Sequence, residues 1–277
     1  MDPIDWCRQR LLVPGNPLTV TLPYADPSQR DRILVLRCMI SEIAAVASVS
    51  DAEPGFRKLD WWRQALNEGS SHPAIQAWTA SGLAGVVGAS AFDPLIEAVM
   101  TTLESPRFEH RQQLWQHALR LGGPAWRLEG LLVGASDADE LETLAELGAT
   151  SYLVRIIRDL GLDARRQRWM APLDLQAEYQ VARQDALSER ASTGWNGMVR
   201  ALVEMVIRRQ DDGEERLDPV QAWRHRHALV QSALDRRLAL KLASRPQRIL
   251  DGRYLSGPAG NAFTAWRKAR QLARRQR

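Results

Sequence analysis

The stretch Leu147-Gly148-Ala149-Thr150-Ser151-Tyr152-Leu153-Val154-Arg155-Ile156-Ile157-Arg158-Asp159-Leu160-Gly161-Leu162-Asp163 decides how the chain is read. Its apolar spacing is helical, and it continues a helix expected from Asp137 to about Leu160. Asp159 and Asp163 stand four apart, hence one turn apart on one face. Two carboxylates so placed can share Mg²⁺ ions whose other positions are filled by water and phosphate oxygens. Arg155, Arg158, Arg165, Arg166 and Arg168 surround them and can neutralise such an anion directly. The plainer reading makes the two aspartates surface acids in ordinary i,i+4 pairs, Asp159 with Arg155 for instance, worth about 0.3 kcal/mol. Spacing alone favours the plainer reading.

Outward from this stretch the period stays helical. Helices are expected from Pro27 and Ser28 to Val49, and over Phe56 to Leu66 with a stop at Gly69. A short segment should open at His72 and Pro73, followed by Pro94 to Leu103, Arg107 to Val133, Trp195 to Arg209, Pro219 to Ser244 and Pro258 to Arg275. Ser136 or Asp137, followed by Asp139 and Glu140, is a helix start: a cap, then acids that favour the dipole. Leu18 to Leu22 alternates like a strand, but Pro17 and Pro23 bracket it. Helix after helix with short polar joints predicts one all-α domain around a central cavity. Residues 1–22 read as an N-terminal extension, 23–257 as the helical domain and 258–277 as a basic terminal helix.

Composition narrows the function classes. With 277 residues, 45% hydrophobic and 25% charged, the chain can bury a large core. No apolar run is long enough to span a bilayer and the first residues lack a secretory leader pattern, so a cytoplasmic or membrane-peripheral protein is expected. Cys7 and Cys38 have no second ligand at metal spacing, which excludes a disulfide framework and a zinc site. The five histidines read as structural or surface residues, and His225 and His227, two apart on a helix, should point in different directions. From Arg245 to Arg277 nine Lys or Arg meet one acid; this +8 leaves −4 on the rest of a chain whose net charge is +4. The basicity therefore belongs to the tail. No reader motif accompanies it, so nucleic acid is not expected; an anionic membrane surface or a protein partner is.

With its sequel to Leu175, the opening stretch resembles the second aspartate-rich motif of the squalene/phytoene synthase family, roughly Gly-x-Ala-x-Gln-x-x-Asn-Ile-x-Arg-Asp-x-x-x-Asp. Gly148, Ile156, Arg158, Asp159 and Asp163 match, and the basic run from Arg165 and a Pro172-Leu173-Asp174 phrase follow in order. Tyr152 stands where the family has Gln, and Arg155 where it has Asn. Tyr24 to Leu66 is similar to the family's opening, above all Phe56 to Leu66 with Trp61 and Trp62, followed by His72-Pro73.

The resemblance implies an isoprenoid-synthase-like helical bundle and a prenyl diphosphate as ligand. It implies Mg²⁺ at Asp159 and Asp163, with Tyr152, Arg155, Arg158, Arg165 and Arg168 on the substrate side. It also exposes a gap. The family's first Asp-x-x-x-Asp motif should fall in the helix ending at Val49, where Ala44 and Ser48 stand instead. Glu42 and Asp51 are the nearest carboxylates, and neither is spaced to replace them. Ionising an allylic diphosphate needs the departing anion held from two sides, and each group lost costs roughly 10²–10³-fold. The expectation is a member that binds a prenyl-diphosphate-like ligand or a protein partner without full catalysis. This erosion resembles the branch of the mitochondrial complex I assembly factor with a synthase-like fold. The alternative is an active Mg²⁺-dependent head-to-head prenyltransferase with an irregular metal site.

Overall fold

Proline at the first helical position and acids at the caps set most of the helix starts. In the computed structural model, which describes residues 1–48, 51–103, 107–188 and 190–276, fourteen α-helices follow one another, and no strand occurs among the described residues. They are α1 (Pro3–Leu11), α2 (Leu18–Thr21), α3 (Arg30–Ala44), α4 (Ala52–Glu68), α5 (Pro73–Ala80), α6 (Asp93–Leu103) and α7 (Arg111–Leu132). The second half holds α8 (Ala138–Arg165), α9 (Leu173–Tyr179), α10 (Thr193–Arg216), α11 (Pro219–Arg224), α12 (Arg226–Ser244), α13 (Gln247–Asp251) and α14 (Pro258–Arg275).

The axis of the fold is the hairpin of α7 and α8. Gly122 and Gly148 let the two backbones touch: a β-carbon on Gly122 would lie 2.3 Å from the Gly148 carbonyl oxygen. The Asp137 carboxylate caps α8 by accepting the Glu140 N–H at 2.8 Å. From this axis two apolar clusters spread. One gathers Ile33, Leu36 and Ile43 of α3 with residues of α1, α5 and α6; the other gathers Leu153, Ile157 and Leu160 of α8 with residues of α10, α12 and α13. Tyr152 packs against both, so α8 forms the seam between the halves.

Several boundaries differ from expectation, each for a local reason. The first long helix begins with a 3₁₀ turn at Pro27–Gln29 and ends in another at Ala45–Ser48; Val49 lies outside the described residues. Leu18 to Leu22 is helical, because Asn16 accepts the Leu18 N–H at 3.0 Å and caps a short turn. The helix expected over Pro219 to Ser244 is two, joined at His225. Residues 1–22, expected as an extension, bury Cys7 and Leu11 against α3 and α5. On the terminal helix α14, Leu272 is buried with Ala265 on the side packed against α12, while Phe263 and Trp266 face outward.

His225 and His227 do point apart. The first meets Glu140 of α8 at 2.6 Å and the second meets Glu129 of α7 at 2.7 Å. Both are buried, so their role is to hold α12 onto the hairpin.

Candidate functional site: an arginine-lined cavity

Positions 152, 155, 156, 159 and 163 recur at three and four residues, which places them in one stripe of α8. The stripe forms the floor of a cavity of about 820 Å³. Ala44 and Ala47 line it, as does the loop from Arg166 to Ala171. Phe108, Ile156, Trp169, Met170 and Leu173 give an apolar wall, while Arg107, Arg155, Arg158, Arg166, Arg168, Arg183 and Arg253 give a cationic one. Seven guanidinium groups against the carboxylates of Asp159 and Asp163 leave the described lining at +5.

Asp159 is gripped by two arginines. Its Oδ1 accepts from Arg158 Nε at 2.9 Å and Arg253 Nε at 3.0 Å; its Oδ2 accepts from Arg158 Nη2 at 2.7 Å and Arg253 Nη2 at 2.9 Å. Two paired forks fill the acceptor positions of a carboxylate. Burial pushes its pKa up, but Arg158 and Arg253 outweigh this and hold the carboxyl below the usual aspartate value. Among the described residues the Asp163 carboxylate accepts from Arg168 alone, at 3.2 Å; burial, with the Asp159 charge added, raises its pKa. Arg168 also donates to the Ala47 carbonyl at 3.1 Å and so ties the two segments together.

Arg155, like Arg107 and Arg166 at the rim, has no side-chain partner among the described residues, and it alone of the three stands on the α8 stripe. It makes no hydrogen bond or ion pair with the described residues, and although it is packed among many neighbours its side chain keeps accessible surface and lines the cavity. Burial depresses its pKa, opposed by the charge of Asp235. Asp235 lies behind it on α12, buried, and accepts from Ser151 Oγ at 2.6 Å and from Gln231. Tyr152 is pushed up to about 12 by burial and stays a neutral donor.

The structure brings Tyr152, Arg155, Arg158, Asp159, Asp163 and Arg168 into one cavity. Arg165 is not among them: it sits a half-turn round α8 from Asp163 and donates to the Leu250 carbonyl. Glu42 faces the other way, accepting from Arg10 of α1 at 2.8 Å. Arg107, Arg183 and Arg253 come from distant segments. Arg253 is delivered because Gly161 lets α13 lie against α8, where a β-carbon would meet the Ile249 carbonyl oxygen at 2.4 Å.

A Mg²⁺ cluster fits these residues poorly. Among the described residues no three His, Cys, Asp or Glu gather to hold a metal. The lone pairs of Asp159 already serve two guanidinium groups, and the end of α3 with its 3₁₀ turn presents Ala44 and Ala47 to the cavity; the Ser48 side chain lies outside the described residues. What the arrangement does offer is an anion site beside an apolar wall.

Fold and site together define an all-α protein with a cationic cavity in its seam. The family model "Squalene/phytoene synthase" matches residues 16–259, and the chain belongs to that family. Among curated relatives, it is similar to phytoene synthase 3, chloroplastic, of Zea mays, 25% identical over 178 residues, which are 60% of this chain and 42% of that protein. It is also similar to phytoene synthase of Thermus thermophilus, 27% identical over 112 residues, 40% of this chain and 38% of that one. The chain thus spans about two fifths of the length of these relatives. Among solved structures, a dehydrosqualene synthase in complex with ligand superposes with a TM-score of 0.81 at 12% identity, covering 98% of this chain and 95% of that one. Squalene synthase HpnC from Alicyclobacillus acidocaldarius gives 0.72 at 14% identity, covering 91% and 95%. The fold is that of these isoprenoid synthases.

Proposed function

We propose that this chain binds a diphosphate-bearing isoprenoid in the arginine-lined cavity and does not carry out head-to-head condensation of two such molecules. The observation that supports this reading most is that Ala44 and Ser48 hold the two positions of the second carboxylate pair that a metal clamp needs, and that the same segment presents Ala44 and Ala47 to the cavity lined by Asp159 and Asp163. A cationic floor beside Phe108, Trp169 and Met170 suits an anionic head on a short apolar tail, and about 820 Å³ is within the range of small-molecule sites. The Mg²⁺ implied by the family resemblance has no part in this reading, because arginines occupy the carboxylates that would hold it.

Arg155, unpaired and aimed into the cavity, is the residue assigned to the diphosphate. Titration of geranyl diphosphate, followed by calorimetry, should show Arg155→Met weakening binding by about 10–100-fold, the loss of one or two charge-assisted hydrogen bonds. Unchanged affinity would remove the head group from this site.

A separate surface favours a second partner. Phe263 and Trp266 of α14 are 60% and 47% exposed, their rings 5.8 Å apart, with Arg270 over Trp266 at 5.3 Å. Such a face suits an anionic membrane or an acidic protein.

A further inference from the structure

Of the guanidinium groups lining the cavity, those of Arg158, Arg168, Arg183 and Arg253 are engaged, and the strongest engagement is the double fork on Asp159. A carboxylate accepting four N–H groups from two opposed arginines has the charge and the geometry that a phosphate group would present to the same pair. Arg158 and Arg253 both line the cavity, so the position a ligand anion needs is held by a residue of the chain. Arg253 belongs to the non-helical segment between α13 and α14 and its side chain is about half exposed, which gives it room to turn from one acceptor to another.

Divalent metal suits this arrangement badly. A cation bridging Asp159 to a diphosphate would have to displace two guanidinium groups from the carboxylate and enter a lining already at +5. A diphosphate entering alone must also draw those guanidinium groups from Asp159, but its own charge suits the positive lining that a cation would oppose.

We infer that Asp159 is an internal stand-in for the ligand's phosphate, and that a diphosphate binds by taking Arg158 and Arg253 from it without a divalent cation. The inference rests on the reading of the cavity as a diphosphate site and adds how that site is neutralised. It reverses the sign expected of an aspartate in a metal-bridged site. There, removing the carboxylate weakens binding; here it releases two arginines and removes a competing charge.

The test is calorimetric titration of inorganic pyrophosphate into the whole chain, wild type, Asp159→Asn and Arg158→Gln, each in EDTA and in Mg²⁺. Pyrophosphate has no tail, so the result concerns the anion site alone. The expected outcome is wild-type affinity equal in the two buffers within about twofold, affinity of Asp159→Asn raised by about tenfold or more, and affinity of Arg158→Gln lowered by a similar factor. Binding visible only in Asp159→Asn would support the stand-in in its strongest form. Should the asparagine variant not fold, Asp159→Ser removes the same carboxylate. Binding that requires Mg²⁺, or that falls in Asp159→Asn, would overturn the inference and leave the diphosphate site standing. No binding by any variant in either buffer would overturn the diphosphate reading itself, and the inference with it.

Discussion

Replacing Glu129 with alanine should destabilise the fold by about 3–5 kcal/mol, the usual cost of leaving a buried charge without its partner. Glu129 is 3% exposed and joins three helices. Its Oε2 accepts from Arg37 Nε of α3 at 2.8 Å, and its Oε1 lies 2.7 Å from His227 Nδ1 of α12, whose Nε2 meets Thr21 Oγ1 at 3.1 Å. Burial alone would raise the carboxyl pKa, but Arg37 and His227 hold it down at about 2. The alanine variant strands the partly buried Arg37 guanidinium, itself 5.7 Å over the Trp126 ring. Glu129→Gln keeps the shape and a hydrogen bond and should cost less. Urea unfolding midpoints measure both, and equal midpoints for wild type and Glu129→Ala would contradict the assignment. The sign with pH follows from the lowered value. The contribution is complete above the ordinary glutamate pKa of about 4.5 and is lost as pH falls toward 2.

His117 acts in a higher window. It is 7% exposed, packed between Phe108 and Tyr152, and its Nε2 has no hydrogen-bond partner. Burial, aided by Arg120, lowers its pKa to about 4. Between the ordinary value of about 6.5 and 4, the unfolded chain binds a proton that the folded chain refuses. Stability should therefore fall as pH drops through that interval, with a His117 share on the order of 3 kcal/mol at 1.36 kcal/mol per pKa unit. His225, lowered by burial against the pull of Glu140, adds to the same slope, while the raised Asp163 and Asp235 oppose it. The clean readout is therefore the difference between the profiles of wild type and His117→Leu. Parallel profiles from pH 7 to 4 would show that His117 titrates normally.

The fold was legible in the sequence because a period of 3.6 repeats along nearly the whole chain and its breaks carry Pro, Gly or a capping acid. Such signals are local. Part of the stripe of α8 was legible for the same reason: Asp159 and Asp163 share a face by spacing, while Tyr152 and the substrate side were implied by the family resemblance. Arg165 shows the limit of spacing, since its place two residues beyond Asp163 turns it toward α13 rather than the cavity. Arg107, Arg183 and Arg253 are each an unremarkable arginine in a loop or short turn, and only the packing of α13 and of the 3₁₀ turn Arg183–Leu187 onto α8, with Arg107 just before α7, makes them neighbours. The buried Glu129, Glu140 and Asp235 were missed as well. A carboxylate on a helix reads as solvent-facing, and the histidine or serine that satisfies each lies about 84 to 98 residues away. Gly122 and Gly148 were the one sequence signal of the α7–α8 contact: glycines inside helices, where close backbone approach is the physical reason to tolerate them.

The central claim is that the cavity can hold a prenyl diphosphate but lacks the means to ionise two of them. Its most direct measurement is to incubate the 277-residue chain with farnesyl or geranylgeranyl diphosphate and Mg²⁺ and to quantify squalene and phytoene in the organic extract. The account predicts neither product, although the diphosphates bind. Either product formed at ordinary enzyme turnover, about 0.1 per second or faster on the usual scale of such rates, would contradict it.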